Sequence, residues 1–316
     1  EVLLNSSKIS SLISQLPEFA VKPYFDKLII NEAQSNNEIE GIRSTKKELK
    51  EALKALEQSE PSHKRFVGLM KTYQFIDRIP SFTSIHDFRE LYDELVADEI
   101  GAEDGPDGEL FRKGYVEVND GNMTTHIGVN SEQKITEALE ALIAYLHDET
   151  HPQLYRYMTA HYYYEYIHPF YDGNGRTGRL IVGSYLSRYL EKYSAITFSY
   201  AVNKNKDKYY KALEEIPAPL NRGELTFYLM DMLELLLSGQ KGIIEDLEFN
   251  LMKLKRIRNY IDSDQWADYK DERDIFNIII TINVFVNDQV TLSVQDLMEL
   301  SNKSRHKINR VMDYLE

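Results

Sequence analysis

Residues 168–179 have the sequence His168-Pro169-Phe170-Tyr171-Asp172-Gly173-Asn174-Gly175-Arg176-Thr177-Gly178-Arg179. The two glycines of its Gly-Asn-Gly loop let consecutive backbone N–H groups turn inward, and the loop opens directly onto a predicted helix. Both features favour anion binding, because a helix N-terminus carries unpaired N–H groups and a partial positive charge. The two arginines are three residues apart, so they lie on one side of that helix and suit phosphate oxygens.

Two further side chains of this segment suit chemistry on a phosphate. Asp172 is a hard oxygen ligand for Mg²⁺, which prefers one or two carboxylates together with substrate phosphates. His168 stands at the start of the loop and is able to accept a proton near neutral pH. The segment therefore predicts a site for a metal-bound polyphosphate beside a proton acceptor. It is not a Walker A loop, since no Gly-Lys-Ser/Thr follows, and each residue alone has an ordinary alternative role in a turn or a core.

The composition is that of a globular protein. The chain has 316 residues, of which 42% are hydrophobic and 28% charged. Its 37 basic and 51 acidic residues give a net charge of −14, which argues against general coating of nucleic acid. The absence of cysteine excludes disulfides, Cys-ligated metals and thiol nucleophiles, and we expect a cytoplasmic protein. No stretch reaches the roughly 20 apolar residues that cross a bilayer, and no signal peptide is recognisable, so we expect no membrane association.

Apolar residues recur with helical periodicity along almost the whole chain, which predicts an all-α protein. An Asp-Gly pair at 120–121, between two short β-prone runs, predicts one β-hairpin. Residues 1–60 are predicted to form an arm with two helices, one ending near Ile39 and the other over 44–57. Further helices are predicted over 61–80, 83–99, 135–146, 152–167, 175–189, 205–216 and 223–261.

Charge and turn signals divide the chain into an N-terminal arm (1–60), a core (61–220), a helical extension with a linker (221–265) and a C-terminal module (266–316). In the module, a helix over 272–286 precedes a strand over 290–293 and two helices over 294–300 and 303–315. This order resembles a winged helix-turn-helix, and its last helix carries Lys303, Arg305, Lys307 and Arg310. Such modules bind DNA, dock proteins or form dimers. Because the protein is acidic, we do not favour DNA binding by residues 294–315.

The segment at 168–179 meets every position of His-x-Phe-x-Asp/Glu-Gly-Asn-Gly-Arg-x-x-Arg, and over roughly residues 30–220 the chain resembles the Fic family. The resemblance implies an all-helical core with a β-hairpin flap, and transfer of AMP from ATP to a Ser, Thr or Tyr hydroxyl of a target protein. It implies His168 as the general base, Asp172 as the Mg²⁺ ligand and Phe170 as a core residue beneath the loop. The implied phosphate site comprises Gly173, Asn174, Gly175, Arg176, Thr177, Gly178 and Arg179, with Arg179 at the γ-phosphate.

Two other segments resemble parts of the nucleotide and target sites of this family. The hairpin resembles the flap that docks the target by strand addition over residues 111–130. That resemblance places Val116, Glu117, Val118 and Asn119 near the nucleotide, whereas an ordinary surface hairpin is the alternative. Tyr209 and Tyr210 resemble the adenine-side segment, although tyrosine pairs on helices are often core residues. Pro217 stands where some members carry an asparagine.

Residues Asn36 to Gly41 resemble the inhibitory motif Ser/Thr-x-x-x-Glu-Gly/Asn of the family. The Glu-Gly half matches, and Asn36 stands at the Ser/Thr position. The resemblance implies that Glu40 pairs with Arg179, takes the place of the γ-phosphate and leaves ATP misaligned for reaction. The alternative is a helix end with Gly41 as its C-cap.

The remaining candidates have simpler interpretations. His161 and Glu165 are four apart on a helix, which we interpret as an exposed pair because no third metal ligand is evident. The tyrosines between 155 and 166 are predicted to pack in the core. Alternative functions are AMP removal, transfer of another nucleotidyl or phosphate-containing group, or DNA-binding regulation with a nucleotide-sensing core. The target protein and homodimer formation stay open.

Overall fold

A computed structural model describes residues 1–57, 65–96, 99–101, 105–119, 124–263, 269–286 and 292–315. Within these ranges the chain forms fifteen α-helices, one short 3₁₀-helix and two β-strands. The predicted all-α class with a single β-hairpin is therefore confirmed. None of the helices in the described ranges is both long enough and apolar enough to cross a membrane.

The elements before the site are mostly short helices. They are α1 (Val2–Ile13), α2 (Glu18–Ile39), α3 (Lys46–Glu57), α4 (Val67–Gln74), the 3₁₀-helix Ile76–Arg78 and α5 (Ile85–Val96). Strands β1 (Glu117–Asn119) and β2 (Thr124–Ile127) pair antiparallel, with an irregularity between Val118 and Asn119. The predicted turn over 120–122 lies outside the described residues.

The longer helices follow the hairpin. They are α6 (Glu132–Leu146), α7 (Gln153–Ile167), α8 (Asn174–Tyr189), α9 (Lys192–Ala195), α10 (Phe198–Lys204), α11 (Lys206–Glu215), α12 (Thr226–Ile261), α13 (Lys270–Val286), α14 (Val294–Ser301) and α15 (Arg305–Leu315). Pro152 precedes α7 as its N-cap, where the absence of a backbone N–H costs nothing.

Two helix predictions differ from the structure. Residues 1–57 contain three helices rather than two, because the chain breaks before Pro17 and α2 starts only at Glu18. The helix predicted over 61–80 begins only at Val67 among the described residues and ends at Gln74. Phe66, at its start, has a left-handed backbone with φ of 69°, and the 3₁₀-helix then continues the chain. The short helices α9 and α10 were not predicted.

The chain divides into two compact units. The first comprises Glu1–Ser6 and Ile29–Gln240. In its core α7 packs against both α6 and α8. The ring of Phe170, in the loop between α7 and α8, stacks on Tyr92 with 3.6 Å between centroids and also meets Phe111. Phe170 is fully buried, so the loop that follows α7 is anchored on the aromatic core.

The second unit comprises Ser7–Leu28 and Lys241–Glu316. Its helices α13, α14 and α15 pack against one another around buried apolar side chains, among them Ile275, Leu297, Ile308 and Val311. Residues 290 and 291 of the strand predicted over 290–293 lie outside the described residues, Leu292 is not in a strand, and Ser293 is the N-cap of α14. The side chain of Lys27 in α2 bonds to Asp246 and to the carbonyl of Phe285.

The close approach of α4 and α5 depends on Gly68. A Cβ atom at this position would lie 1.9 Å from the carbonyl oxygen of Glu94 in α5, and that backbone atom cannot move away on its own. We expect Gly68→Ala to lower the free energy of unfolding by about 1–3 kcal/mol, the usual cost of overpacking. Denaturant unfolding measures this change.

Gly183→Ala in α8 is the matched control. Its Cβ would lie 3.0 Å from the terminal methyl of Ile76, a group that can move. We expect this variant to lose clearly less stability than Gly68→Ala. Equal losses for both would show that the α4–α5 contact is looser than described.

Candidate active site

A cavity of about 490 Å³ lies between the C-terminal end of α2, strand β2 and helices α7, α8 and α11. This volume is within the range of about 300–1,000 Å³ that is typical of small-molecule sites. Six of the predicted site residues line it: Glu40, His168, Gly175, Arg179, Tyr209 and Tyr210. Its other lining residues are Ile39, His126, Tyr162, Glu165, Tyr166, Leu213, Glu214 and Pro217.

His168 ends α7 and presents its imidazole to the cavity. Its backbone is left-handed, with φ of 52°, and its Nδ1 lies 3.3 Å from the carbonyl oxygen of Glu165. Burial, together with the positive charge of Arg112, lowers the pKa of His168 to about 4. The imidazole is therefore neutral at physiological pH and holds a lone pair that can accept a proton.

Arg112 fixes the backbone around His168, a role that no motif or spacing in the sequence indicates. The guanidinium is fully buried and donates to four carbonyl oxygens. Its Nε bonds to His168 O at 2.8 Å, and its Nη1 bonds to Gly114 O at 2.6 Å. Its Nη2 bonds to Val129 O at 2.8 Å and to Ile167 O at 3.3 Å. One side chain thus joins the C-terminal end of α7 to both flanks of the hairpin.

The Gly-Asn-Gly loop is shaped by its own side chains. Gly173 has φ of 81°, and a Cβ there would lie 3.0 Å from Val96 and 3.2 Å from Tyr92. The buried amide of Asn174 accepts from Phe170 N at 2.9 Å and donates to Phe170 O at 2.8 Å. Thr177 Oγ1 donates to Gly173 O. Asn174 and Thr177 therefore brace the loop, and the first N–H groups of α8 remain as the anion-binding element.

Arg176 does not line the cavity. Its buried guanidinium pairs with Glu99 at 3.0 Å, and both side chains are almost wholly buried. Burial raises the pKa of Glu99, and the nearby charge of Arg176 counteracts that rise. The structure thus places Arg176 in an ion pair that the sequence did not indicate, whereas the resemblance had placed it on the phosphates.

Arg179 is buried and held by the end of α2. Its Nη2 lies 2.7 Å from Glu40 Oε1, the pairing expected from the sequence. Its Nε donates to Asn36 Oδ1 at 2.7 Å and its Nη2 to Asn36 O at 3.3 Å. Burial alone would lower the pKa of Arg179, but the carboxyl groups of Glu40 and Glu165 raise it, so the guanidinium stays charged.

Asn36 takes the hydroxyl position of the inhibitory motif and makes more contacts than a hydroxyl could. Besides accepting from Arg179, its Nδ2 donates to Tyr73 Oη at 2.8 Å and to Arg176 O at 3.2 Å. A serine or threonine hydroxyl has a single proton to donate, whereas the amide has two. Asn36 therefore joins α2 to α8 through both its acceptor and its donor atoms.

The carboxylate of Glu40 lies above the N-terminus of α8. A Cβ on Gly175 would be 2.3 Å from Glu40 Oε1 and 3.0 Å from Arg179 Nη1. Three groups of the α10–α11 region hold the preceding residues in place. Asn203 Nδ2 donates to Glu38 Oε2 at 2.7 Å, Lys206 Nζ to Glu38 O at 2.7 Å, and Tyr210 Oη to Ile39 O at 3.3 Å.

The two tyrosines of α11 occupy different environments. Tyr209 is buried and its hydroxyl lies 2.8 Å from His161 Nε2, whereas Tyr210 is partly exposed at the cavity edge. His161 and Glu165 are both largely buried, with relative exposures of 0% and 13% for their side chains, so the predicted exposed pair is wrong. Helix α11 covers this face of α7, a tertiary contact that helical periodicity cannot reveal.

The hairpin contributes one described side chain to the cavity. His126 in β2 lines it, and its Nε2 lies 2.7 Å from the carbonyl oxygen of Tyr166. Of the predicted flap residues, Val116 and Glu117 do not line the cavity. The side chains of Val118 and Asn119 lie outside the described residues. Val116 O accepts from Gly128 N at 3.2 Å, which holds the hairpin base beside α7.

The described side chains suit a metal ion whose ligands come mainly from the phosphate oxygens of a bound substrate. They contain no cluster of three or more His, Asp or Glu that could form a metal cage. Asp172 is exposed at the start of the loop, and its Oδ1 accepts from Gly173 N at 2.6 Å. Its second oxygen, Oδ2, is then the atom that would bind the metal ion. One carboxylate beside an anion-binding helix N-terminus is a donor set that suits Mg²⁺ with phosphates.

Comparison with known proteins connects this geometry to a family. Residues 82–186 match the family model described as Fic/DOC family. The fold resembles the crystal structure of a Fic family protein from Desulfovibrio desulfuricans G20, with a TM-score of 0.57, 18% identity and coverage of 98% of this chain and 86% of that one. It also resembles a Fic domain containing signaling protein from Bacteroides thetaiotaomicron, with a TM-score of 0.51, 18% identity and coverage of 92% and 99%. At this identity the structural likeness shows the fold.

Proposed function

We propose that this chain, which carries a Fic/DOC domain over residues 82–186, is a protein adenylyltransferase restrained by Glu40. Fic family proteins are generally transferases that commonly move nucleotide or phosphate groups onto proteins. The observation that supports the proposal most is the position of the Glu40 carboxylate. It occupies an anion site, formed by Arg179 and the N-terminus of α8, in the same cavity as the neutral imidazole of His168.

In this proposal the phosphates and the base of ATP would lie at separate ends of the cavity. The first N–H groups of α8 and the guanidinium of Arg179 would hold the phosphates. The apolar side chains of Ile39, Leu213 and Pro217, with the exposed face of Tyr210, suit a purine base. Asp172 would hold Mg²⁺, which supplies charge neutralisation for the phosphates when it is bound.

His168 would remove the proton from the target hydroxyl. The hydroxyl oxygen then forms a bond to the α-phosphorus of ATP while the bond from that phosphorus to the β-bridging oxygen breaks. Pyrophosphate leaves with the bonding electrons, and the target carries AMP as a phosphodiester. Most of the acceleration in such a reaction comes from alignment of the reacting groups and from fixed positive charge. His168 would align the target hydroxyl, and Arg179 and the N-terminus of α8 would supply the positive charge.

Glu40 would restrain this reaction by competing for Arg179. Its carboxylate makes the contact that a γ-phosphate needs, and its negative charge repels a polyphosphate. The side chain of Glu40 is 27% exposed, so its carboxylate can move from Arg179 into solvent without remaining as an unpaired buried charge. ATP that binds beside Glu40 would hold its α-phosphate out of line with the target hydroxyl.

Removal of Glu40 is expected to activate transfer. We expect Glu40→Gly to raise transfer of label from α-labelled ATP onto protein by about 10- to 100-fold, a range typical of coupling between two sites. The measurement uses Mg²⁺, a lysate as the source of target and a gel readout. Glu40→Gln is the matched variant, since it keeps the size of the side chain and removes the charge, and should give an intermediate rate.

A third protein separates transfer from nonspecific labelling. Glu40→Gly/His168→Ala should bind nucleotide and transfer at least about 10²-fold less label than Glu40→Gly. No label with any variant, together with intact ATP binding, would contradict adenylyl transfer and favour AMP removal or another donor. Equal labelling by wild type and Glu40→Gly would contradict the inhibitory role alone.

The alternative of a DNA-binding regulator receives less support from the charges of the C-terminal module. Lys303 pairs with Asp271 at 2.7 Å and with Asp274 at 3.2 Å. Lys307 also pairs with Asp271. Two of the four basic side chains of this segment are thus partly neutralised within the second unit, which weakens attraction to phosphates. A DNA mobility shift that weakens with salt would nevertheless favour this alternative.

A further inference from the structure

Glu165 is a buried carboxyl group in the cavity that the proposed reaction does not use. It lies in α7, three residues before His168, and lines the cavity. Its side chain is 13% exposed, and its Oε1 is buried without a hydrogen-bond partner among the described residues. A carboxyl group in such a place normally requires a partner, because burial without one is costly. His161 Nδ1 lies 3.9 Å from Glu165 Oε1, which is too far for a hydrogen bond.

The carboxyl group of Glu165 lies directly against α8. A Cβ on Gly178 would be 2.2 Å from Glu165 Oε1, so the carboxyl group occupies the space that a side chain at 178 would fill. The next residue of α8 is Arg179. Glu165 and Arg179 interact electrostatically, so a change in the conformation of the flexible glutamate changes its interaction with the guanidinium.

Arg179 is bonded to one carboxyl group and interacts through space with two others, Glu165 and Glu32. Both oxygens of Glu32 already accept from the backbone N–H groups of Ser199 and Tyr200, so Glu165 is the one with an unpartnered oxygen. Glu40 contacts Arg179 at 2.7 Å, while Glu165 acts on it through space. Burial, opposed by the charge of Arg179 and reinforced by repulsion from Glu40, raises the pKa of Glu165 to about 8. With Glu40 in place, one carboxylate already neutralises the guanidinium and Glu165 is left mostly protonated. Without Glu40, the fully buried guanidinium would have no carboxylate in contact with it.

We propose that Glu165 is a positioning residue for Arg179, whose carboxylate pairs with the guanidinium when Glu40 leaves and releases it when a phosphate arrives. The pairing of Glu165 with Arg179 depends only on the charges of the protein. The release of Arg179 rests on the proposed function, since it requires a nucleotide phosphate at Arg179. In this scheme the buried guanidinium of Arg179 always has an anion as its partner: first Glu40, then Glu165, and finally the nucleotide phosphate. Glu165 thereby keeps Arg179 oriented toward the cavity after Glu40 has left and before the phosphate binds.

The ionisation of Glu165 depends on groups from its own helix α7 and from four other segments. Arg179 comes from α8 and Glu40 from the segment after α2. The others are His161 and Tyr164 in α7, Tyr209 and Tyr210 in α11 and Tyr228 in α12. Of these, His161 is held neutral because burial lowers its pKa to about 3, and burial raises the pKa of each tyrosine. Only Glu40 and Arg179 therefore bring charge to Glu165 near neutral pH.

The first test follows the carboxyl carbon of Glu165 by NMR as a function of pH. Glutamate is labelled at the side-chain carboxyl carbon, and Glu165→Gln identifies the resonance. We expect a midpoint near 8 in the wild type and a midpoint lower by about one unit or more in Glu40→Gly, because a like charge is removed and Arg179 is freed. Glu38→Ala is the control, since Glu38 bonds to Asn203 rather than to Arg179. An unchanged midpoint in Glu40→Gly would overturn the proposal.

The second test measures proton uptake on nucleotide binding. Calorimetry in two buffers of different ionisation enthalpy, with the Glu40→Gly/His168→Ala protein near pH 7.5, gives the protons taken up. We expect uptake with Mg²⁺-ATP but not with Mg²⁺-ADP, and loss of that uptake after Glu165→Gln. Tight ATP binding without Glu165-dependent uptake would overturn the release step. Absence of ATP binding would instead contradict the proposed function, while the NMR result would still decide the pairing with Arg179.

Discussion

Replacing His168 by alanine in the Glu40→Gly background is expected to lower the rate of label transfer by about 10²- to 10⁴-fold, the range for loss of a general base. The physical reason is that the imidazole is the neutral, cavity-lining group next to the anion site. The rate is measured at saturating ATP with one purified target. Thermal unfolding should change little, because the backbone of His168, rather than its ring, carries the contact to Arg112.

His126→Ala is the matched control, because His126 is the other histidine of the cavity. Its Nε2 is engaged by the carbonyl oxygen of Tyr166, so it is poorly placed to accept a proton. We expect this variant to retain transfer within about tenfold of its parent. If His126→Ala abolished transfer and His168→Ala did not, the assignment of the base would be wrong.

The pH profile gives the same assignment a separate readout. An ordinary histidine with a pKa near 6.5 would lose its lone pair as pH falls from about 7.5 to about 5.5. Because burial lowers the pKa of His168 to about 4, the base stays neutral through that window. We therefore expect kcat/KM of Glu40→Gly to show no histidine limb between these pH values. A bound polyphosphate would raise the pKa of His168, so a limb in kcat alone is compatible with the assignment.

The local part of the site was predictable because it is encoded within a few residues. Pro152 and the spacing of apolar residues fix α7, and the Gly-Asn-Gly loop marks the start of α8. The pairing of Glu40 with Arg179 was also expected, since a motif carries one partner and the signature carries the other. In each case the signal is a short pattern whose physical cause is a turn, a cap or a helix face.

The groups that the sequence did not reveal all act across long separations. Besides Gly114, Arg112 bonds to residues 17 to 56 positions away, and Glu99 pairs with a side chain 77 positions away. An isolated arginine or glutamate in a polar segment is normally solvated, so nothing local distinguishes these two. Glu165 was assigned to the surface for the same reason, because its burial depends on α11 and on the missing side chain of Gly178. Such features arise from packing between elements and require the tertiary structure.

Arg112 offers the clearest test of how that packing supports the chemistry. We expect Arg112→Met to lower the free energy of unfolding by about 3 kcal/mol or more, since each buried acceptor left without a donor costs about 1–3 kcal/mol. Four carbonyl oxygens lose their donor at once, two of them at residues 167 and 168. Denaturant unfolding measures the loss, and Arg89→Met is the control. Arg89 makes an exposed pair with Asp93 and bonds to one carbonyl, so its loss should cost about 1 kcal/mol.

Arg112→Lys separates charge from geometry. A lysine keeps the positive charge, but its single ammonium group cannot reach four carbonyl oxygens in the fork arrangement that a guanidinium provides. We therefore expect it to recover part of the stability, yet to lower transfer in the Glu40→Gly background by about 10²-fold, the effect of misplacing a catalytic group by about 1 Å. If Arg112→Lys transferred label as fast as its parent, positioning of His168 would not depend on the carbonyl contacts. The charge of residue 112 alone would then explain its place beside the base.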